Sequence, residues 1–215
     1  MSAGSEFRRL LSEGAARAGV DVPDAAIAPL ETYFDLLQRW NRKINLTALA
    51  LDPPTPQTID RLILEPLVAA QFVDAGSEVE WFDLGSGGGS PAIPLRIIRP
   101  LAHLTMVESR SRKAAFLREV GRELGWTNVG VEAVRFESLV AARDGKAGLV
   151  TARAVRGDEG LFRCAQHLLR DGGLFCWFHS ENSSAEAPSA FRLDRTVSTP
   201  GGALTLLRRL VPRGT

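Results

Sequence analysis

The sequence has few cysteines and no long apolar run, and these absences exclude several classes of protein. Cys164 and Cys176 are the only two cysteines among 215 residues, and their spacing fits no common zinc-binding pattern. We therefore expect two buried thiols and no metal site. No apolar stretch approaches the roughly 20 residues that span a bilayer, and the N-terminus lacks the apolar segment of a secretory signal. These features predict a cytoplasmic protein that does not cross a membrane.

Lysine is also scarce, and the basic residues are unevenly distributed. The net charge is only +1, which excludes a polycation, yet nearly all of the 26 basic residues are arginines. Between Arg110 and Arg122 five cations face a single anion, Glu119. Such a run is either a solvated helix face or a surface that contacts phosphates, because the guanidinium fork suits phosphate and base edges.

The first third of the chain has the periodicity of helices. The clearest amphipathic stripe consists of Leu30, Phe34, Leu37 and Trp40. The pattern predicts helices over 4–20, 26–41 and 57–73, the last of them interrupted or kinked at Pro66. The proline-rich stretch 51–56 cannot be helical and is interpreted as a linker.

Beyond Gly76 short apolar runs alternate with helical patterns. The predicted strands lie near 79–84, 103–108, 128–134, 147–152, 172–178, 191–198 and 203–210. The predicted helices lie near 91–99, 110–125, 136–143 and 159–170. This alternation indicates an α/β fold with a mostly parallel, Rossmann-like sheet, and the turn at 199–202 makes the last two strands an antiparallel hairpin. We expect an N-terminal helical extension (1–75) on a ligand-binding core (76–210), forming one compact unit overall.

The most informative stretch is the glycine cluster that follows the first predicted strand. Glycines allow sharp turns and close approach of a ligand, and the following helix, beginning near Pro91, offers free N–H groups to an anion. The dinucleotide fingerprint G-x-G-x-x-G fails at Ser90. The pattern D-x-G-x-G-x-G fits without a mismatch through Asp83, Gly85, Gly87 and Gly89, and is the signature of S-adenosylmethionine-dependent methyltransferases.

An acid ends the next predicted strand, where it would meet the same ligand. Glu108 follows the run Leu104–Val107 and could accept both hydroxyls of a ribose. Dinucleotide and S-adenosylmethionine folds share this feature. It therefore indicates an adenosine ligand without separating the two.

The sequence lacks the groups that several methylation reactions need. Neither cysteine has the context of a cytosine-C5 nucleophile, and the fourth strand ends without the proline motif of exocyclic-amine enzymes. Guanine N7 has a free lone pair at neutral pH and needs only orientation and nearby donors. The sequence is compatible with that reaction.

Several segments, taken in order, resemble one family. The segment Tyr33–Ala48, with Trp40-Asn41 followed by Asn45-Leu46-Thr47, is similar to the hallmark of the ribosomal RNA small-subunit methyltransferase G family, also called glucose-inhibited division protein B. The resemblance continues through residues 83–95, Glu108-Ser109, Arg112-Lys113, Phe116-Leu117, 135–137 and 152–154, and covers about residues 30–175.

This resemblance implies the class I methyltransferase fold, the cofactor S-adenosylmethionine, and methylation of guanine N7 in the decoding-region loop of 16S rRNA. The implied cofactor-binding residues are Asp83, Gly85, Ser86, Gly87, Gly89, Glu108, Phe136, Glu137 and Arg153. The implied RNA-binding residues are Asn41, Arg112, Lys113, Arg135 and His179. Arg153 and Asn41 are the candidate catalytic residues. We expect a monomer that binds 16S rRNA or the small ribosomal subunit.

Two segments depart from the family's pattern and keep other functions open. The stretch Leu62–Pro66 stands where the family usually has H-x-x-D-S, and Phe178–Ser180 stands where it usually has Lys-Gly. A diverged methyltransferase acting on another RNA or a small molecule is one alternative. A non-catalytic factor that binds RNA or ribosomes is the other.

Overall fold

The N-terminal third of the chain forms the predicted helices. The computed structural model describes residues 3–73, 79–100, 103–141, 145–153, 157–180 and 188–211. Here the helices are α1 (Ala3–Ala18), α2 (Asp24–Asn41), α3 (Pro56–Ile59), a π-helical segment (Asp60–Leu64) and α4 (Glu65–Ala70). Within the described ranges, no helix combines the length and apolar character needed to cross a bilayer.

The proline-rich stretch 51–56 differs from the prediction at its end. Residues 51–54 form a turn, as expected for non-helical sequence, but Pro56 is the first residue of α3. Proline is tolerated at this position because its missing N–H would have no partner in the first turn. Thr55 caps the helix by accepting a hydrogen bond from the Thr58 N–H at 3.2 Å.

The predicted interruption at Pro66 occurs one turn earlier, in the π-helical segment. Pro66 has no N–H to donate to the carbonyl of Leu62, so the regular ladder cannot continue through this point. The Glu65 N–H instead donates to the carbonyl of Asp60, five residues back. A π-helical turn in place of a kink therefore accommodates the proline, and the helix ends at Ala70 rather than at residue 73.

The described residues from 79 onward include a seven-stranded sheet with the predicted topology. Its strands are β1 (Glu80–Leu84), β2 (His103–Val107), β3 (Val129–Glu132), β4 (Ala147–Arg153), β5 (Leu169–His179), β6 (Phe191–Thr199) and β7 (Gly202–Arg209). Its helices are α5 (Ala92–Ile98), α6 (Ser111–Glu123) and α7 (Glu159–Leu168), with a 3₁₀ helix at Phe136–Ala141. The strand order is β3-β2-β1-β4-β5-β7-β6. Strands β1 to β5 are parallel, whereas β7 is antiparallel to both β5 and β6.

Other predicted elements of this region also differ from the structure. The helix predicted over 159–170 ends at Leu168, because Leu169 already pairs with Ala147 in the sheet and β5 begins there. The helix predicted over 136–143 is a 3₁₀ helix over Phe136–Ala141, and residues 142 and 143 lie outside the described part of the chain.

The sheet separates two apolar clusters, and the N-terminal helices belong to the larger one. Trp81 points into the cluster that contains α1, α2, α5 and α6, whereas the adjacent Phe82 points into the cluster under α7. Leu30 and Phe34 of α2 are fully or almost fully buried in the first cluster. The N-terminal helices therefore share a core with the sheet.

This shared core predicts cooperative unfolding of the helical extension together with the sheet. We expect Leu30→Ala to lower the free energy of unfolding by roughly 2–5 kcal/mol, because Leu30 is fully buried and its truncation leaves a cavity. The measurement is urea unfolding followed by circular dichroism and by fluorescence of the tryptophans. The exposed Asp35 of the same helix is the control, and Asp35→Ala should change stability by less than about 0.5 kcal/mol. Two separate transitions, with Leu30→Ala affecting only one, would contradict the shared core.

Candidate active site

The glycine loop after β1 has a backbone that other residues adopt only with strain. Three of its glycines have positive φ angles, namely Gly85 (73°), Gly87 (52°) and Gly89 (89°). The N–H groups of Gly85 and Ser86 donate to the carbonyl of Val107, which fastens the loop to the end of β2. A Cβ atom at Gly89 would lie 2.2 Å from Ile93 Cδ1. The loop therefore requires glycine both for its conformation and for its packing on α5.

Glu108 and Tyr33 hold the loop from two sides. The Glu108 carboxylate, which follows β2, accepts hydrogen bonds from the N–H of Gly87 at 3.0 Å and of Arg110 at 2.8 Å. The Tyr33 hydroxyl of α2 donates to the carbonyl of Gly88 at 2.7 Å. Burial raises the pKa of Tyr33, so this hydroxyl keeps its proton and acts as a donor. The Glu108 carboxylate is thus fixed beside the glycine loop.

Asp83, at the end of β1, lies beneath the loop and is only 1% exposed. Its Oδ1 accepts a hydrogen bond of 2.5 Å from Thr151 Oγ1, which in turn accepts one of 2.9 Å from Trp81 Nε1. Its Oδ2 is buried and has no hydrogen-bond partner among the described residues. Burial raises the pKa of Asp83 to about 6, although the hydrogen bonds with Ser86 and Thr151 act in the opposite direction.

Arg153, the last residue of β4, is held by groups from three elements. Its Nη2 lies 2.5 Å from Glu65 Oε2, and its side chain is 10% exposed. Its Nη1 donates to the carbonyl of Arg61, and its guanidinium lies 4.9 Å from the ring centroid of Phe178. Burial lowers the pKa of Arg153, and the negative charge of Glu65 opposes this effect. The guanidinium therefore has one fixed orientation beside the glycine loop.

The glycine loop, Glu108 and Arg153 surround a cavity of about 370 Å³ at the carboxyl edge of the parallel strands. Ligands of open α/β sheets bind at this edge. The N-terminal helices close the cavity from the other side with apolar and polar side chains. Its walls consist of Leu37, Leu46, Thr47, Ala48, Leu49, Arg61, Leu62, Gly85, Ser86, Gly87, Gly88, Ser90, Glu108, Lys113 and Arg153.

The predicted site residues separate into those that line this cavity and those that do not. The lining residues among them are Gly85, Ser86, Gly87, Glu108, Lys113 and Arg153, while Gly89 and Asp83 lie in the same loop and strand. Arg112, Arg135 and Glu137 are exposed outside the cavity walls. Phe136 is half-buried and packs against the cluster under α7.

The side chain of Asn41 binds the backbone of two residues that line the cavity. Its Oδ1 accepts hydrogen bonds from the N–H groups of Leu46 at 2.8 Å and Thr47 at 3.0 Å, and both residues line the cavity. Asn41 therefore fixes the loop that follows α2. Its own side chain is not part of the cavity wall.

His179 is engaged within the sheet and does not line the cavity. Its Nε2 lies 2.8 Å from Thr205 Oγ1 and its Nδ1 lies 2.8 Å from the carbonyl oxygen of Ser180. The ring centroid is 4.2 Å from that of Trp177. Since both ring nitrogens have partners, His179 has no free ring nitrogen for RNA in this conformation.

Sequence reasoning missed Glu65 and Arg61, which belong to the departing segment and to the turn before it. Glu65 is 3% exposed and pairs with Arg153, and Arg61 lines the cavity. The signal was a single acid within the apolar run Leu62–Val68. A carboxylate is rarely buried unless it is paired, so this acid indicated a buried cation.

Comparison with solved structures shows the class of fold. An S-adenosylmethionine-dependent methyltransferase from Aquifex aeolicus matches 73% of this chain and 94% of its own length, with a TM-score of 0.55 and 11% identity. TrmN from Thermus thermophilus matches 67% of this chain and 49% of its own, with a TM-score of 0.54 and 19% identity. The fold is that of class I S-adenosylmethionine-dependent methyltransferases, as predicted.

Comparison of sequences shows the family. The model of the GidB family, described as rRNA small subunit methyltransferase G, matches residues 26–196. The ribosomal RNA small subunit methyltransferase G of Stenotrophomonas maltophilia K279a is 39% identical over 197 residues, which are 89% of this chain and 88% of that protein. The protein of the same name from Xylella fastidiosa M23 is 42% identical over 158 residues, or 72% and 71% of the two chains. The chain therefore belongs to the rRNA small subunit methyltransferase G family, the S-adenosylmethionine-dependent enzymes that methylate guanine N7 in 16S rRNA.

Proposed function

We propose that this chain methylates the N7 atom of a guanine in the decoding-region loop of 16S rRNA, and that the reaction takes place at the cavity described above. One observation carries the proposal: a glycine loop, an acid at the end of β2 and a charge-paired arginine at the end of β4 meet around one cavity. None of these groups is a nucleophile. Guanine N7 needs none, because its lone pair is available at neutral pH.

The residues of the cavity fit S-adenosylmethionine. Glu108 holds a carboxylate at the cavity wall, where it would accept the ribose hydroxyls. The backbone of the loop Gly85–Gly89 allows a ligand to approach closely, and the positive φ angles of Gly85, Gly87 and Gly89 are ones that other residues adopt only with strain. The unpartnered Oδ2 of Asp83 adds negative charge directly beneath the loop, which suits a ligand carrying ammonium and sulfonium charges.

When bound, S-adenosylmethionine supplies an electrophilic methyl group. The chain supplies position and a suitable electrostatic environment. Glu108 and the glycine loop hold the adenosine end. Arg153 offers donors to the target base, and Leu37, Leu46 and Leu62 exclude water from the cavity.

The basic side chains outside the cavity are the proposed RNA contacts. Arg112 and Arg135 are exposed and form no ion pair within the described part of the chain, so they can meet phosphates. Lys113 lies on the same helix as Arg112 and lines the cavity wall. We propose that these three cations orient the RNA, and that Asn41 acts indirectly by holding residues 46 and 47.

Methyl transfer to the small ribosomal subunit tests the proposal. Small subunits from cells that lack this gene are incubated with the protein and S-adenosylmethionine labelled in its methyl group. Cleavage at 7-methylguanine by borohydride and aniline then locates the product. We expect a single new site in the decoding-region loop.

A variant of Glu108 tests its role in cofactor binding, and a variant of Glu123 is the matched control. Glu108→Gln removes the charge that would hold the ribose and should weaken S-adenosylmethionine binding at least about tenfold, since hydrogen bonds to a charged group contribute about 1.5–3 kcal/mol. Glu123→Gln changes an exposed glutamate on α6 and should leave binding unchanged. Cofactor binding without any label in rRNA would contradict the proposal and favour a diverged methyltransferase or a non-catalytic binding factor.

The buried Asp83 predicts a specific dependence of stability on pH. Its pKa is raised from the ordinary 3.8 to about 6, so the folded state binds this proton more tightly than the unfolded state. The stability that Asp83 contributes is therefore complete below pH 3.8 and is lost as the pH rises to about 6. Because Asp83→Asn cannot ionise, its stability relative to the wild type should increase by about 3 kcal/mol across this interval.

Thermal unfolding at several pH values checks this prediction. Thr151→Val keeps the size of the side chain but removes the hydroxyl that donates to Asp83. Because this hydrogen bond lowers the pKa of Asp83, the variant should continue to lose stability up to a higher pH than the wild type does. Asp83→Asn should also weaken S-adenosylmethionine binding at pH 7.5. A stability difference between wild type and Asp83→Asn that is constant with pH would contradict the raised pKa of Asp83 in the folded state.

A further inference from the structure

The segment Leu62–Pro66, which departs from the family's pattern, and the adjacent Arg61 contact two residues that line the cavity, Arg153 and Ser90. We propose that Glu65 is a positioning residue for Arg153, and that the π-helical turn before Pro66 makes this possible. The inference rests on the proposed function, because it assigns Arg153 to the end of the cavity where the target base meets the methyl donor.

The π-helical turn and the proline together free two neighbouring carbonyls. In a regular helix the Glu65 N–H would occupy the carbonyl of Arg61, but here it donates to that of Asp60. Pro66 has no N–H to occupy the carbonyl of Leu62.

Both freed carbonyls are used by residues at the cavity. That of Arg61 accepts a hydrogen bond from Arg153 Nη1. That of Leu62 accepts one of 2.8 Å from the Ser90 hydroxyl at the end of the glycine loop. The irregular turn thus connects β4 to the loop after β1.

Glu65 is held through both of its carboxylate oxygens. Oε2 lies 2.5 Å from Arg153 Nη2, and Oε1 accepts a hydrogen bond of 3.1 Å from the Thr199 hydroxyl at the end of β6. The turn between β6 and β7 packs directly on this side chain, since a Cβ at Gly201 would lie 2.5 Å from Glu65 Oε1. The carboxylate therefore has little freedom to follow any movement of Arg153, and it fixes the arginine instead.

Held in this way, the Arg153 side chain still faces the cavity. Glu65, the Arg61 carbonyl and the Phe178 ring occupy three sides of the guanidinium, and Arg153 also lines the cavity. Its Nε and Nη2 are buried and form no hydrogen bond among the described residues, so Glu65 holds Nη2 through the ion pair. Donor capacity thus remains for an acceptor atom of a ligand, such as a guanine carbonyl oxygen.

The charge of Glu65 matters as much as its contacts. The strand order places the glycine loop between Glu108 after β2 and Arg153 at the end of β4, so a donor with its ribose on Glu108 directs its other end toward Arg153. Methylation at N7 gives the guanine a positive charge, which an unpaired guanidinium would oppose. Pairing with Glu65, whose Oε1 also lies 3.9 Å from Arg61 Nη1, keeps the donors of Arg153 while offsetting part of its charge.

The test is Glu65→Gln, measured for methyl transfer to small subunits and, separately, for S-adenosylmethionine binding by calorimetry. We expect kcat to fall roughly 10- to 100-fold, because the arginine loses both its orientation and its counter-charge. The Kd for S-adenosylmethionine should change less than about threefold. Glu65→Asp keeps the charge and should recover kcat to within about fivefold of the wild type.

Two further variants separate positioning from a loss of stability. Arg17→Gln removes the ion pair between Arg17 of α1 and Asp60, on the opposite side of the same turn, and should lower stability without changing kcat. Thr199→Val, which removes only the hydroxyl donor to Glu65, should lower kcat by about threefold to tenfold even if Glu65→Gln does not fold.

The outcomes distinguish this inference from the proposed function. An unchanged kcat for Glu65→Gln, or equal losses of kcat and of S-adenosylmethionine affinity, would overturn the positioning role while leaving the activity intact. A wild-type protein that binds S-adenosylmethionine but methylates no small subunit would overturn the proposed function itself.

Discussion

The buried ion pair between Glu65 and Arg153 is the interaction on which the geometry of the cavity depends. It joins the N-terminal helices to the end of β4, and the Thr199 hydroxyl adds the C-terminal hairpin. Removing one partner of a buried pair typically costs about 3–5 kcal/mol, because the other charge remains uncompensated. The helical extension and the hairpin therefore take part in the site as well as in the core.

The second constraint is the parallel sheet, which brings distant residues to one edge. Asp83, Glu108 and Arg153 are separated by tens of residues in sequence, yet each stands at the carboxyl end of a neighbouring strand. The glycine loop joins them because its backbone approaches both β2 and α5 closely. The fold thus supplies a site of carboxylates, backbone groups and a paired arginine, which suits a reaction that needs orientation rather than a nucleophile.

Much of this could be predicted from the sequence, because the relevant signals are local. The alternation of strands and helices predicts the sheet, and the spacing of Asp83 and the glycines predicts the loop. The role of the Leu62–Pro66 segment was not predictable in this way, since it depends on which carbonyls a π-helical turn leaves free. The prediction that His179 contacts RNA rests on its place at the end of β5, whereas the contacts of its ring with Thr205 and the Ser180 carbonyl appear only in the structure. Contacts of this kind form between residues brought together by the fold, so no periodic pattern in the sequence predicts them.

A crystal structure with S-adenosylhomocysteine would show how the ligand lies between Glu108 and Arg153. We expect the ribose hydroxyls on Glu108, the backbone of the glycine loop against the ligand, and the sulfur end directed toward Arg153 with its Glu65 pair intact. A ligand bound away from the glycine loop, or one with its sulfur end pointing away from Arg153, would contradict this expectation.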